Sequence, residues 1–331
     1  MAQEFITQQG IDVKRDKMLQ YDLFFQFSKP GFIIPGLHQD LIPQGFAYWE
    51  QENWLFVSYY CDHDDCSSVV AIIDAKTNLL IKALRLKNVD DSLYTEHAGG
   101  VAVNDHYLWV SSSSTLYYMN MDKVMSANHN DEVAFDGTIP TDVNGSFVKV
   151  SDNVLWVGEF AHSTNYSTKE SHHTKSRTKV QYKGWITGYE LDPKTQFIPD
   201  HKPETEDGIP VPDYILSIPY RIQGVGFLDK YIILSESYGR TADSHLLIYK
   251  NPLNSTVHKY VSFGDHEVPL WFLDDLNHLE TMVAPTMAES IVQYQNALYV
   301  LFESGANKYK DDGSFPLDRA QLFNLIEYMN Q

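Results

Sequence analysis

Five stretches of the chain carry one pattern: QGFAYWEQENWLFVSYY from Gln44 to Tyr60, GGVAVNDHYLWVSSS from Gly99 to Ser113, GSFVKVSDNVLWVGEF from Gly145 to Phe160, QGVGFLDKYIILSES from Gln223 to Ser237, and ESIVQYQNALYVLFES from Glu289 to Ser304. In each, alternating apolar residues run into Asn, Asp or Glu and then alternate again, which is the pattern of a β-hairpin with a tight polar turn. A third apolar segment follows each hairpin: SSVVAIIDA, STLYYMNM, GWITGYEL, SHLLIYKN and RAQLFNLI. The first four units continue into a fourth, such as LIKALRL near Leu80 and DYILSIPY near Asp213. Repetition of one supersecondary unit at this spacing predicts an all-β chain folded as a five-bladed β-propeller with four-stranded blades. The fifth unit ends after its third strand, near Ile326. LQYDLFFQF at residues 19–27 is therefore predicted to be the N-terminal strand that completes the last blade and closes the ring, leaving no exposed sheet edge between the ends. The repeat count argues against a six-bladed ring with one divergent blade and against a β-sandwich.

A chain of 331 residues admits two average domains, but closed β architectures use this length as one unit. Residues 1–331 are read as a single domain with an N-terminal extension over 1–18. The hydrophobic share of 43% is ample for a core, and the 21 Tyr favour strands. With 25 Lys and Arg against 44 Asp and Glu, the net charge is −19, which repels nucleic acid and anionic lipid. No apolar run reaches the ~18 residues that a membrane span needs, so no membrane insertion is expected. No charged-then-apolar leader opens the chain. Cys61 and Cys66 bracket an Asp-rich loop. A disulfide in an oxidising compartment and two free thiols both fit this spacing, while a zinc site lacks a second ligand pair.

In a four-stranded blade the innermost strand begins at the face where the second strand ends. Residues that open the repeats and residues that close the hairpins therefore share one mouth of the channel. The openers are Gln44, Gly99 with His97 just before it, Gly145, Gln223 and Glu289; the closers are Tyr59, Ser112, Glu159, Glu236 and Glu303. Glutamate is depleted in strands, so three at one repeat position call for an explanation. Like charges near an axis need a cation, a proton or hydrogen-bond donors. Three readings stand side by side. The glutamates accept backbone N–H groups as structural ties; or Glu159, Glu236 and Glu303 hold Ca²⁺ with Ser112; or Glu159, Glu236, Glu303 and Glu289 supply catalytic acid and base.

The loops after the closers carry groups suited to ligand contact: His162, Tyr238, Arg240 and Lys308. Arg grips carboxylate or phosphate bidentately, although an ion pair with a neighbouring Glu is an equal alternative. The insertion 162–183, with His172, His173, Arg177 and four lysines, is a basic island predicted to lie over the mouth, as a mobile loop or as a lid for anionic substrates. The connection 264–287 is predicted to cross the same mouth, bringing Trp271 and Phe272 to stack on a ring or sugar or to cap the core. There is no GxSxG elbow, P-loop, HExxH or dinucleotide fingerprint. Sequons begin at Asn144, Asn165 and Asn254.

SESYGR (Ser235–Arg240) and APTMAESIVQYQNALYVLFESGANKY (Ala284–Tyr309), together with IPQGFAYW at Ile42 and HAGGVAV at His97, resemble a group of bacterial propeller-like proteins over residues 40–325. Many of those look secreted, which implies a secreted or cell-envelope location here; the resemblance implies no particular reaction. At the level of fold alone, the ring of Ser112, Glu159, Glu236 and Glu303 is similar in kind to the calcium-dependent apyrases, and the axial carboxylates to five-bladed glycosidases. The expectation is an extracytoplasmic hydrolase, calcium-dependent or not, acting at the mouth on a phosphorylated or sugar-like small molecule. In it Gln44, Tyr59, His97, His162, Gln223, Tyr238, Arg240, Lys308 and Trp271 contact the substrate. The alternative is a non-catalytic module that binds a glycan or a protein there.

Overall fold

A computed structural model describes residues 6–13, 15, 17–63, 65–163 and 165–331. Each hairpin repeat forms the two inner strands of an antiparallel sheet, and five such sheets form a ring, a five-bladed β-propeller. Blade one runs outward through Leu41–Trp49, Trp54–Cys61, Val69–Asp74 and Leu79–Lys87. Blade two uses Gly100–Val103, Tyr107–Ser112, Thr115–Asn120 and Gly137–Pro140, and blade three Gly145–Ser151, Val154–Glu159, Gly184–Glu190 and Tyr214–Ile218. Blade four uses Ile222–Leu228, Tyr231–Glu236, Ser244–Lys250 and His278–Ala284. Blade five has Ala288–Tyr294, Ala297–Phe302 and Arg319–Phe323 from the C-terminal part, with Ser28–Ile33 on its outside.

The period-two pattern sorts side chains between neighbouring blades rather than into one central core. Along the second strand of blade one, Leu55, Val57 and Tyr59 pack towards blade five while Phe56 packs towards blade two. Among the described residues the core accordingly falls into five clusters, each filling the gap between two successive blades. At the axis the inner strands approach backbone to backbone. A Cβ on Gly45 would lie 2.2 Å from the Val101 nitrogen, and one on Gly100 2.3 Å from the Val148 nitrogen, so only glycine fits at either position. In blades one, three, four and five the inner hairpin register shifts near its opening end, as at Pro43/Phe46 and Ala288/Ile291. Such irregularities re-aim side chains next to sites.

The N-terminal closure occurs, but not with the residues expected. Residues 19–27 are helical, Leu19–Tyr21 as a 3-10 turn and Asp22–Gln26 as a short α-helix, and the closing strand is Ser28–Ile33, paired with Arg319–Phe323. The reason is visible in the spacing. Tyr21, Phe24 and Phe27 recur every third residue and bury one helical face against blades four and five, leaving Leu23 exposed. Pro30, which lacks an N–H, suits the outermost strand of a sheet.

Two blades are wider than four strands. Glu132–Ala134 adds to blade one in parallel with Leu79–Lys87. The hairpin Lys259–Phe263/His266–Phe272 adds to blade three, its second strand parallel to Tyr214–Ile218. Residues 264–284 therefore run along the outer strands of blades three and four, and only Met287, at the end of the segment, reaches the mouth. Trp271 is buried between those blades with its indole N–H donating to the Ser255 carbonyl at 3.4 Å. Cys61 and Cys66 are joined by a disulfide, with Cα atoms 6.0 Å apart; Asp64 of that loop lies outside the described residues.

Candidate active site at the channel mouth

The openers and the ends of the second strands meet as the repeat geometry requires, around a cavity of about 440 Å³. Gln44, His97, Ser112, Gln223, Tyr238, Arg240, Glu289 and Glu303 all line it. Its floor is a carboxyl pair. Glu289 opens the inner strand of blade five, Glu303 follows the second strand, and the two carboxyl groups hydrogen-bond each other. Donors from flanking blades bracket the pair: Gln44 Nε2 donates to Glu303 Oε2 at 3.2 Å, and Gln223 Nε2 donates to Glu289 Oε1 at 3.1 Å. Gln44 is oriented in turn by His97, whose Nε2 donates to Gln44 Oε1 at 2.8 Å.

Burial drives the electrostatics. Desolvation pushes Glu303 up to about 7, against the opposing pull of hydrogen bonds from Glu289 and Gln44 and the charges of Lys308 and Arg240. Glu289 is pushed well above the ordinary carboxylic range by burial first and by its Glu303 neighbour second. Glu289 thus keeps its proton and donates it to Glu303, which ionises near neutrality. His97 is exposed as a residue, but its ring lies against Tyr60 and near Lys308; loss of solvent around the ring and that charge lower it to about 4, so it acts as a neutral donor. That ring stacks on Tyr60 with centroids 4.3 Å apart. Tyr60 and Tyr309 share a hydroxyl–hydroxyl hydrogen bond of 3.0 Å, Lys308 sits 5.6 Å from both rings, and Arg240 sits 4.9 Å from Tyr309. The opposite wall holds Phe160, Tyr166 and Tyr238 in mutual ring contact, with His162 4.0 Å from Tyr238 at the edge.

The remaining carboxylates do not join this pair. Glu159 is 1% exposed and lies outside the cavity lining. Its Oε1 accepts from His172 Nδ1 at 2.7 Å and from the Trp185 N–H at 3.0 Å. His172, fully buried, reaches Asp142 at 2.7 Å with its other nitrogen and stacks on Trp185. Burial alone would lower His172, but Asp142 and Glu159 outweigh it and raise it, so the ring is a cation between two carboxylates. Glu236 pairs with Arg221 and, at 3.1 Å, with His245; these partners overcome its burial and hold it below the usual carboxylate range. The three glutamates of the repeat position thus have three separate solutions: a buried imidazolium, a guanidinium with an imidazole, and a shared proton. They present no common point for a cation, and among the described residues no group of three or more His, Cys, Asp or Glu is placed to hold a metal ion.

Tyr59 is fully buried between blades one and five, and its neighbour Tyr60 faces the mouth in its place, because alternation sends adjacent side chains to opposite faces. Trp271 is remote, in the outer part of blade three. The basic insertion is tied down as well. Lys169 pairs with Asp142, and Arg177 forks onto Asp274 and contacts His258 at 3.0 Å. Tyr60, Phe160 and Tyr166 are among the lining residues that repeat reasoning did not single out; the doubled Tyr59-Tyr60 at a strand end was the available signal. Three residues just before inner strands share one backbone feature. Ala98, Arg221 and Met287 precede inner strands with φ of 48°, 62° and 63°, a left-handed conformation unfavourable for residues with a Cβ. The Met287 carbonyl accepts the Glu303 N–H at 3.1 Å, which ties this strained turn to the pair.

No family model and no curated protein matches the sequence. Among solved structures, the chain is similar to Myxococcus xanthus glutaminyl cyclase, with 11% identity, 89% of this chain and 92% of that one covered, and a TM-score of 0.41. It is also similar to the tail fibre of Staphylococcus aureus phage P68 (10% identity, 95% of this chain and 55% of that one covered, TM-score 0.44) and to BamB from Moraxella catarrhalis (9% identity, 81% of this chain and 84% of that one covered, TM-score 0.34). At these identities the likeness concerns the β-propeller fold alone.

Proposed function

We propose that the mouth is a hydrolytic site for an uncharged, sugar-like small molecule, with Glu303 as general base and Glu289 as general acid. The observation that carries this reading is the bracketed Glu289–Glu303 pair, one carboxyl protonated and one able to ionise near neutrality, at the floor of an aromatic cavity. Carboxyls that flank a glycosidic bond stand about 5–9.5 Å apart, whereas hydrogen-bonded oxygens lie within about 3 Å. The pair therefore suits attack on one centre, such as an ester carbonyl on a sugar. Glu303 takes a proton from water as the oxygen adds to the carbonyl carbon, and Glu289 protonates the carbonyl oxygen. On collapse the C–O bond to the alkoxide breaks, Glu303 gives the first proton to that departing oxygen, and Glu289 takes its own proton back as the C=O bond re-forms. Lys308 and Arg240 already pair with Asp62 and Asp312, which favours an uncharged ligand over a phosphorylated one. The aromatic walls offer ring faces for stacking. The Cys61–Cys66 disulfide supports an oxidising, extracytoplasmic setting.

The test is turnover of a panel of uncharged acylated and glycosidic sugars by the wild-type protein and by Glu303→Gln. A fall of about 10²–10⁴ in kcat with little change in ligand affinity is expected, the usual contribution of a general base. Affinity without turnover for every compound would instead make the mouth a glycan-binding module, and equal turnover by the variant would remove Glu303 from the chemistry.

A further inference from the structure

Among the described residues, Lys82 and Lys149 are the buried lysines, and their surroundings differ. Lys82 Nζ donates to the carbonyl oxygens of Val124, Met125 and Ala127 at 2.7, 2.9 and 2.8 Å, which uses all three ammonium protons. Lys149, on the inner strand of blade three, reaches across the channel and donates to the Phe46 carbonyl at 2.9 Å, the one hydrogen bond that the described residues give its Nζ. It has no carboxylate partner within ion-pair distance among them. Lys149 instead lines a cavity of about 320 Å³ at the end of the channel opposite the glutamate pair. The cavity wall combines buried Ala47, Ala102, Phe227 and Val292 with the polar Ser151, Gln293 and Gln295, and exposed Glu50 and Asp152 stand at its border.

An ammonium held this way leaves two protons without protein acceptors in a desolvated site, a cost that the neutral amine avoids. Burial lowers Lys149 to about 7, consistent with that geometry. A primary amine that is desolvated and lacks a counter-charge is the arrangement that activates lysine as a nucleophile.

We propose that Lys149 is a second reactive site, an amine that captures a small uncharged aldehyde or ketone as an imine. The Nζ lone pair adds to the carbonyl carbon, and the carbonyl oxygen takes up the proton that nitrogen releases, giving a carbinolamine. Loss of that hydroxyl as water, with departure of the second nitrogen proton, forms the C=N bond. Amine and carbonyl compound give imine and water, so no oxidant or reductant is required. The acidic border selects against carbonyl compounds that carry a carboxylate, as does the net charge of −19. Lys82, equally buried but with its protons satisfied, is the internal control.

The experiment exposes the full chain briefly to propanal and cyanoborohydride at neutral pH, so that any imine is reduced to a stable secondary amine. Peptide mass spectrometry then gives a labelling rate for each lysine. Lys149 is expected to react at least about tenfold faster than Lys82 and the exposed Lys194, and faster with propanal than with pyruvate. Lys149→Met should abolish the fast label. If that variant does not fold, the comparison among lysines of the wild-type chain still decides. Labelling of Lys149 no faster than that of Lys194 overturns the proposal.

Discussion

Replacing Glu303 by glutamine keeps the side-chain volume and an acceptor oxygen for Gln44 Nε2, with the amide NH2 donating to Glu289 in place of accepting from it, but removes a group that titrates differently in the folded and unfolded chain. In the folded protein Glu303 ionises at about 7, against an ordinary value of 4.5. A carboxyl raised in this way binds its proton more tightly when folded. Its stabilisation is complete below pH 4.5 and is lost as pH rises through 7. At 1.36 kcal/mol per pH unit between those two values, the loss amounts to up to about 3 kcal/mol. The assay is urea unfolding followed by tryptophan fluorescence at about pH 5 and about pH 8, for the wild-type protein and Glu303→Gln. Other titrating groups, His172 among them, contribute to both proteins and drop out of the difference. The wild-type protein should lose up to about 3 kcal/mol more than the variant over this interval. Equal losses would show that Glu303 ionises normally, and would refute both the shared-proton description of the pair and its use as a base.

Three further outcomes follow from the same geometry. His172→Ala leaves Glu159 buried without its imidazolium and should cost about 3–5 kcal/mol in urea unfolding, while ligand binding at the mouth is retained in the folded fraction; a cost near zero would mean that the Asp142–His172–Glu159 chain is not formed. Replacing Cys61 and Cys66 by serine opens a loop of five-residue separation and should cost about 2 kcal/mol by the chain-entropy relation, read as a lower urea midpoint; an unchanged midpoint would mean that the bridge adds no stability. Adding millimolar calcium to chelator-treated protein should leave Tm unchanged, because Glu159 and Glu236 already have protein partners; a rise that disappears in Glu236→Gln would place an ion in the channel after all.

The ring, its five blades and the mouth at which the repeat positions converge were legible in the sequence because each depends on local information: period-two alternation, polar turns and the equivalence of repeat positions. The closing segment was harder to read. LQYDLFFQF is as apolar as a strand, and only docking of Tyr21, Phe24 and Phe27 onto blades four and five makes it a helix and hands closure to Ser28–Ile33. The 264–287 segment was misplaced for a similar reason, since its pairing partner, Tyr214–Ile218, lies far back in the chain.

At the site, the sequence by itself determined which backbone positions ring the channel. Only the tertiary structure decided what each side chain there meets. Glu159, Glu236 and Glu303 are equivalent by repeat position, yet one is neutralised by His172 from the insertion and one by Arg221 with His245 alongside, while the third shares a proton with Glu289 and a hydrogen bond with Gln44, 259 residues away. The physical reason is that desolvation makes every buried carboxyl find a partner, and the partners come from neighbouring strands and loops whose distance along the chain carries no local signal.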